Sequence, residues 1–194
     1  MKTTKLTMTG ALVLTAATLF SGCAGITHEP KVDVASLKDI TETEFFAALD
    51  KVGVSESDAD IMEDTSFSFN GNDRDFDVEY NIDAVSEVGN YYSYTRCVDE
   101  ATAKDLFDYY FDDYDHILDD KDFSGIKSYE VGTNTAYLLI DGRYDDKINN
   151  TYTPYHDAIF LKGNMVVIVT AADYDVSIEK EVNTFLDALG YPHP

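Results

Sequence analysis

The chain has 194 residues, 37 of them acidic and 14 basic, for a formal charge of −23; 44% are hydrophobic, with 14 tyrosines, 11 phenylalanines and no tryptophan. Such a charge repels nucleic acid and anionic headgroups, which excludes a nucleic-acid partner. It leaves basic peptides, cationic patches on partner proteins, divalent cations, or plain solubility at a crowded surface as its uses.

Lys2 and Lys5 open the chain, and an apolar run without acidic residues follows from Gly10 to Phe20, the layout of an export signal. The run is about half of the roughly 20 residues that span a bilayer as a helix, so cleavage is predicted rather than retention. Phe20-Ser21-Gly22-Cys23 resembles the lipobox of bacterial lipoproteins, with Phe20 where leucine is usual. The resemblance implies a signal peptide over residues 1–22 and a lipidation site at Cys23. It also implies palmitate-type acyl chains that hold the protein to the extracytoplasmic face of the cell membrane. Each buried CH₂ contributes about 0.8 kcal/mol, so two or three chains anchor stably without a helix. The alternative is an ordinary secretory peptide with a chance cysteine, but Phe20 is a poor residue at the third position before such a cut. Losing Lys2 and Lys5 with the leader takes the formal charge from −23 to −25. The remaining length, roughly 170 residues, suits one domain. Cys97 is then the one free thiol, predicted buried and inert, and no intramolecular disulfide is available.

Residues 23–39 are mixed and polar, with Pro30, and read as a tether; folding is expected from residue 40. Thr41-Glu42-Thr43-Glu44 has capping-box spacing, and Phe45, Ala48, Leu49 and Val52 fall on one helical face before a stop at Gly53. Phe67 and Phe69 alternate with serines up to the turn signal Asn70-Gly71. Phe76, Val78, Tyr80 and Ile82 then alternate with acidic or polar residues, the period of a strand with one wet face. A further strand through Tyr92, Tyr94 and Arg96 leads to Asp99, a good N-cap. The helix after it puts Ala103, Phe107, Tyr110, Tyr114 and Ile117 or Leu118 on one side. Four apolar stretches follow: Ser128–Val131, Ala136–Ile140, Ala158–Leu161 and Met165–Thr170. Gly163-Asn164 between the last two signals a tight hairpin. A last helix beginning near Asp175 or Ser177 places Ile178, Val182, Phe185, Leu186 and Leu189 inward and stops at Gly190. Hairpin-linked strands with too few helices to alternate with them predict one α+β domain over 40–194: a largely antiparallel sheet with helices packed on one face.

This layout resembles a group of small uncharacterised lipoproteins of low-GC Gram-positive, clostridial-type bacteria. The resemblance is carried by the lipobox, by Thr41, Glu44, Phe45 and Gly53, by Ala103 and Phe107, and by the closing Phe185, Leu186, Leu189, Gly190 and Tyr191. It spans nearly all of the mature chain and brings no activity with it.

The densest polar cluster runs from Asp112 to Asp122. Within it Asp120, Asp122 and Ser124, followed by Gly125, match the opening of a calcium loop, where alternate side chains converge on a hard cation. The continuation departs from that pattern, with Lys127 at position 8 and Val131 at position 12, and a solvated acidic loop is the competing reading. Asp112 and His116 stand at i, i+4 with no third ligand nearby. His156-Asp157 is an acid–base pair in principle, with a plain surface pair as the alternative. No Gly-x-Ser-x-Gly elbow or phosphate-cradling loop occurs. The many tyrosines, from Tyr91 to Tyr155, either lie half buried with wet hydroxyls or form an aromatic surface for peptide or carbohydrate. The leading expectation is a non-enzymatic binding domain without a cofactor, its partner unknown, with a cationic protein or peptide as the candidate. A calcium-responsive module and an enzyme whose site is assembled from distant residues are the alternatives.

Overall fold

The computed structural model describes residues 33–68, 75–147, 149–173 and 175–194. Residues 1–22, read above as a leader, Cys23 and the turn signal expected at Asn70-Gly71 lie outside them. Seven strands form one sheet: β1 (Asp60–Ser68), β2 (Asp75–Val85), β3 (Tyr91–Cys97), β4 (Phe123–Val131), β5 (Thr135–Asp146), β6 (Thr151–Lys162) and β7 (Met165–Thr170). Their order is β1-β2-β3-β7-β6-β5-β4, and every neighbouring pair is antiparallel. The helices are α1 (Glu42–Lys51), α2 (Glu100–Asp113), α3 (Asp115–Leu118) and α4 (Val176–Leu189), with short 3-10 turns at Val34–Ser36 and Glu56–Asp58.

Local signals set most of the element ends. Thr41 and Glu44 exchange the two capping bonds at the start of α1, Thr41 N donating to Glu44 Oε2 at 2.9 Å and Glu44 N to Thr41 Oγ1 at 3.3 Å. Thr41→Ala is therefore expected to cost about 1 kcal/mol, read as a lower midpoint in urea. Asp99 caps α2 by accepting Thr102 N at 2.8 Å, Asp175 caps α4, and Gly190 ends α4 at a left-handed φ of 73°. Gly163, at φ 58°, turns β6 into β7 with Lys162 paired to Met165, the tight hairpin expected from Gly163-Asn164.

The core has two halves, one on each side of the sheet. On one side α1 and α4 pack together and over the strands through Phe45, Leu49, Phe185 and Leu186, which meet Tyr92, Tyr94, Tyr137, Leu139, Phe160 and Val167. On the other side α2 and α3 bring Ala103, Leu106, Phe107, Ile117 and Leu118 onto Leu138, Ile140, Ile159, Val166 and Ile168. The sheet is antiparallel, as expected, but the expectation of helices packed on one face gives way to helices on both. The reason is legible in β5, β6 and β7, where buried side chains follow one another without alternation. A strand covered on both faces reads as a continuous apolar run, whereas β2, with its alternating pattern at the start, has one wet face.

The folded part also begins earlier than residue 40. Val34, Leu37 and Ile40 are buried in the first core half. Arg96 fixes their exit by donating to Ile40 O at 2.9 Å and pairing with Asp39, and Tyr191 Oη donates to Lys38 O at 2.7 Å. Three apolar residues spaced by three were masked by the polar residues between them. Cys97 is fully buried, and burial pushes its thiol up to about 12, which leaves it protonated and unreactive.

At the β4–β5 pairing Gly125 faces Gly142. A Cβ on Gly142 would stand 2.4 Å from Ser124 O and 2.9 Å from the Phe123 ring. The missing side chain leaves room for the Phe123 ring, whose centroid is 6.3 Å from that of Tyr155.

Candidate binding cleft

A cavity of about 470 Å³ lies where the end of α2 passes over β3, β6 and β7. Strand alternation and helix periodicity build it. Residues Tyr155, Asp157 and Ile159 project from one face of β6, Ile168 and Thr170 from β7, and Tyr91 from β3, opposite Thr170. Tyr110 and Tyr114, one turn apart, come down from α2, and Asp113 and His116 stand beside them. Ile159 and Ile168 are paired across the ladder and make an apolar floor.

Asp157 is the chemical centre of the cleft. It is 4% exposed; its Oδ2 accepts Tyr114 Oη at 2.9 Å and its Oδ1 accepts Ala171 N at 3.0 Å. Burial raises its pKa from 3.8 to about 6, against the bonds from Tyr114 and Ala171 that favour the carboxylate. Tyr114 is held well above its ordinary pKa, by burial first and then by Asp157, so the phenol stays a neutral donor. Tyr91 donates to Asp83 Oδ1 at 2.7 Å, and burial and that carboxylate push its pKa up too.

His156 and Asp157 are neither the acid–base pair nor the plain surface pair weighed from sequence. Both lie inside β6 at 4% exposure, and as neighbours in a strand they point to opposite faces. The His156 ring sits between Asp141 Oδ1, 3.3 Å from Nδ1, and Asn183 Oδ1, 3.2 Å from Nε2. It ties β5 and β6 to α4. Burial works against the imidazolium, but the bonds to Asp141 and Asn183 outweigh it and raise its pKa above 6.5.

The acidic segment is arranged differently from a calcium loop. Asp120 Oδ1 accepts Asp122 N at 2.8 Å, the Lys147 ammonium sits on Asp122, and Ser124 is exposed on β4, which has already begun at Phe123. Lys127 is 0% exposed; its Nζ donates to the carbonyls of Ile117 and Leu118 and lies 4.6 Å over the Phe123 ring. Asp112 is exposed, and His116 Nδ1 is 2.7 Å from Asp113 O. Among the described residues no group of three or more His, Cys, Asp or Glu side chains could hold a metal ion. A second cavity, about 340 Å³ beside Ser124, Gly142, Arg143 and Tyr152, contains no buried titratable group.

Sequence reasoning had the tyrosines as a class but not their division. Tyr92, Tyr94 and Tyr137 are core, Tyr152 is 63% exposed, and Tyr91, Tyr110, Tyr114 and Tyr155 line the cleft. The signal that could have found the last group is the i, i+4 pair Tyr110 and Tyr114 on the buried side of α2, together with Asp157 just before an apolar run in β6.

No family model matches the chain, and no curated protein matches it. Among solved structures, the extracellular domain of PknH from Mycobacterium tuberculosis aligns over 84% of this chain and 99% of that one, at 11% identity and a TM-score of 0.29. A likeness that slight transfers neither fold nor function. No helix of the described residues is long and apolar enough to cross a membrane.

Proposed function

We propose that this chain is a lipid-anchored extracytoplasmic domain that binds a small ligand in the tyrosine-lined cleft without transforming it. The address rests on the leader and on Cys23 in its lipobox context, shared with the small lipoproteins the chain resembles. The binding reading is carried by one observation: a carboxyl group held out of water at the base of a ligand-sized, aromatic-walled cavity. Keeping an ionisable group there works against stability, and structures retain such groups where a site needs them.

The test is native mass spectrometry of the protein extracted in detergent from its own cell envelope. The expected result is acyl mass on the Cys23 peptide and a non-covalent small molecule that Ala172→Trp, which fills the mouth of the cleft, removes. A molecule equally retained by that variant, or none on the wild type, would overturn the reading. Asp157, with a pKa of about 6, also favours a second reading as a general acid or base. Turnover of the recovered molecule that disappears in Asp157→Asn would establish that reading instead.

A further inference from the structure

We propose that the cleft takes a small organic cation, an ammonium group carried on a compact apolar body. This deepens the binding reading above and depends on it. The walls are the rings of Tyr91, Tyr110, Tyr114 and Tyr155, and a tyrosine face attracts a cation within about 6 Å of its centroid, more strongly where water is displaced. Tyr114 and Tyr155 meet edge to face, 65° between planes at 6.0 Å between centroids, so the two rings are not closed into a parallel stack. The floor, Ile159 against Ile168, suits methyl or methylene groups.

The charge has one sign. Asp157 at the base and Asp113 at the rim line the cavity, Asp83 stands behind Tyr91, and among the described residues the lining includes His116 but no lysine or arginine. An anionic ligand would bring its charge against Asp157. A neutral sugar would draw nothing from the charge of Asp157, and the hydroxyl protons of Tyr91 and Tyr114 are already given to Asp83 and Asp157. A metal ion would have to displace the bonds that Asp157 accepts from Tyr114 and Ala171, and among the described residues no second and third ligand converge with it. An organic ammonium asks only for ring faces and an opposite charge nearby, which is what the cavity supplies.

Choline, its neutral isostere 3,3-dimethyl-1-butanol, and N-acetyl-lysinamide can be titrated into the folded domain at pH 7.5 and followed by calorimetry and by the tyrosine ring resonances. Choline is expected to perturb the cleft tyrosines, and the isostere to bind about tenfold more weakly. Asp157→Asn should remove most of that difference and leave the isostere unchanged. Asp113→Asn, at an exposed rim position, gives a second reading of the same charge. Tighter binding of N-acetyl-lysinamide than of choline would identify a basic side chain of a partner as the source of the ammonium, and the reverse order a free metabolite. Equal binding of choline and its isostere would overturn the cation proposal and leave the cleft-binding reading standing. Binding of none of the probes would also overturn it, while the molecule recovered with the native protein decides the broader reading separately.

Discussion

Lys127→Met is expected to destabilise the domain by roughly 3 kcal/mol, because it removes the donor to two buried carbonyls at the end of a helix. α3 is four residues long, too short to hold itself. Its last carbonyls, Ile117 O and Leu118 O, are satisfied by the Lys127 ammonium arriving from β4. Methionine keeps the stem packed against Phe123 and loses only the donor. One effect opposes the loss. Burial lowers the pKa of Lys127, with Asp119 and Asp120 acting the other way, so removing the charge also removes a desolvation cost. The unsatisfied carbonyls outweigh it, since each costs about 1–3 kcal/mol when left buried. Urea unfolding gives the total, and amide exchange over residues 115–118 locates it. A variant as stable as the wild type, with α3 still protected, would show that water can replace the ammonium.

Asp157→Asn is expected to do the opposite, raising stability at pH 8 by up to roughly 3 kcal/mol while leaving it nearly unchanged at pH 4. The sign follows from the direction of the shift. In the folded protein Asp157 holds its proton up to about pH 6, against 3.8 for the ordinary group. Below 3.8 the carboxyl is protonated folded and unfolded, so its ionisation costs nothing. Between 3.8 and 6 the unfolded chain gives up the proton first and is favoured, and above 6 the full penalty persists. The amide carries no such penalty. Its Oδ1 can still accept Ala171 N, and Tyr114 can accept from Nδ2 while turning its own proton toward Thr170.

Other groups contribute to the pH profile of the wild type. His156, with a raised pKa, stabilises below 6.5 and loses that contribution as pH rises through its folded value. Asp99 and Asp175, with lowered values, stabilise above 3.8 and lose that contribution in acid. These are common to both proteins and largely cancel in the difference between them. Denaturation at pH 4, 6 and 8 measures that difference. An equal difference at all three values would mean that the carboxyl's ionisation is not the cause.

Local chemistry was legible without coordinates wherever a few adjacent residues decide a conformation. The capping box of Thr41 and Glu44, the Asp99 cap, the Gly163-Asn164 hairpin and the Gly190 stop each depend on neighbours within four positions. The two-sided sheet was also written in the sequence, as the unbroken apolar runs of β5, β6 and β7. An alternating strand such as β2 suggested one covered face, and that pattern does not extend to strands at the centre. The tether boundary fell late because Val34, Leu37 and Ile40 are separated by polar residues that face water.

The sequence by itself determined the acidic charge, the element types and most of their ends, since each depends on composition or on contacts a few residues long. Only the tertiary structure decided where the special side chains go. Tyr114 and Asp157 are 43 residues apart and meet because α2 crosses the face of β6. Lys127 turns inward to finish a helix instead of facing water, and His156 and Asp157, adjacent in the chain, are sent to opposite sides of the sheet. A buried charge or a cleft is a property of which surfaces are brought together, and that is settled when the two core halves close on the sheet.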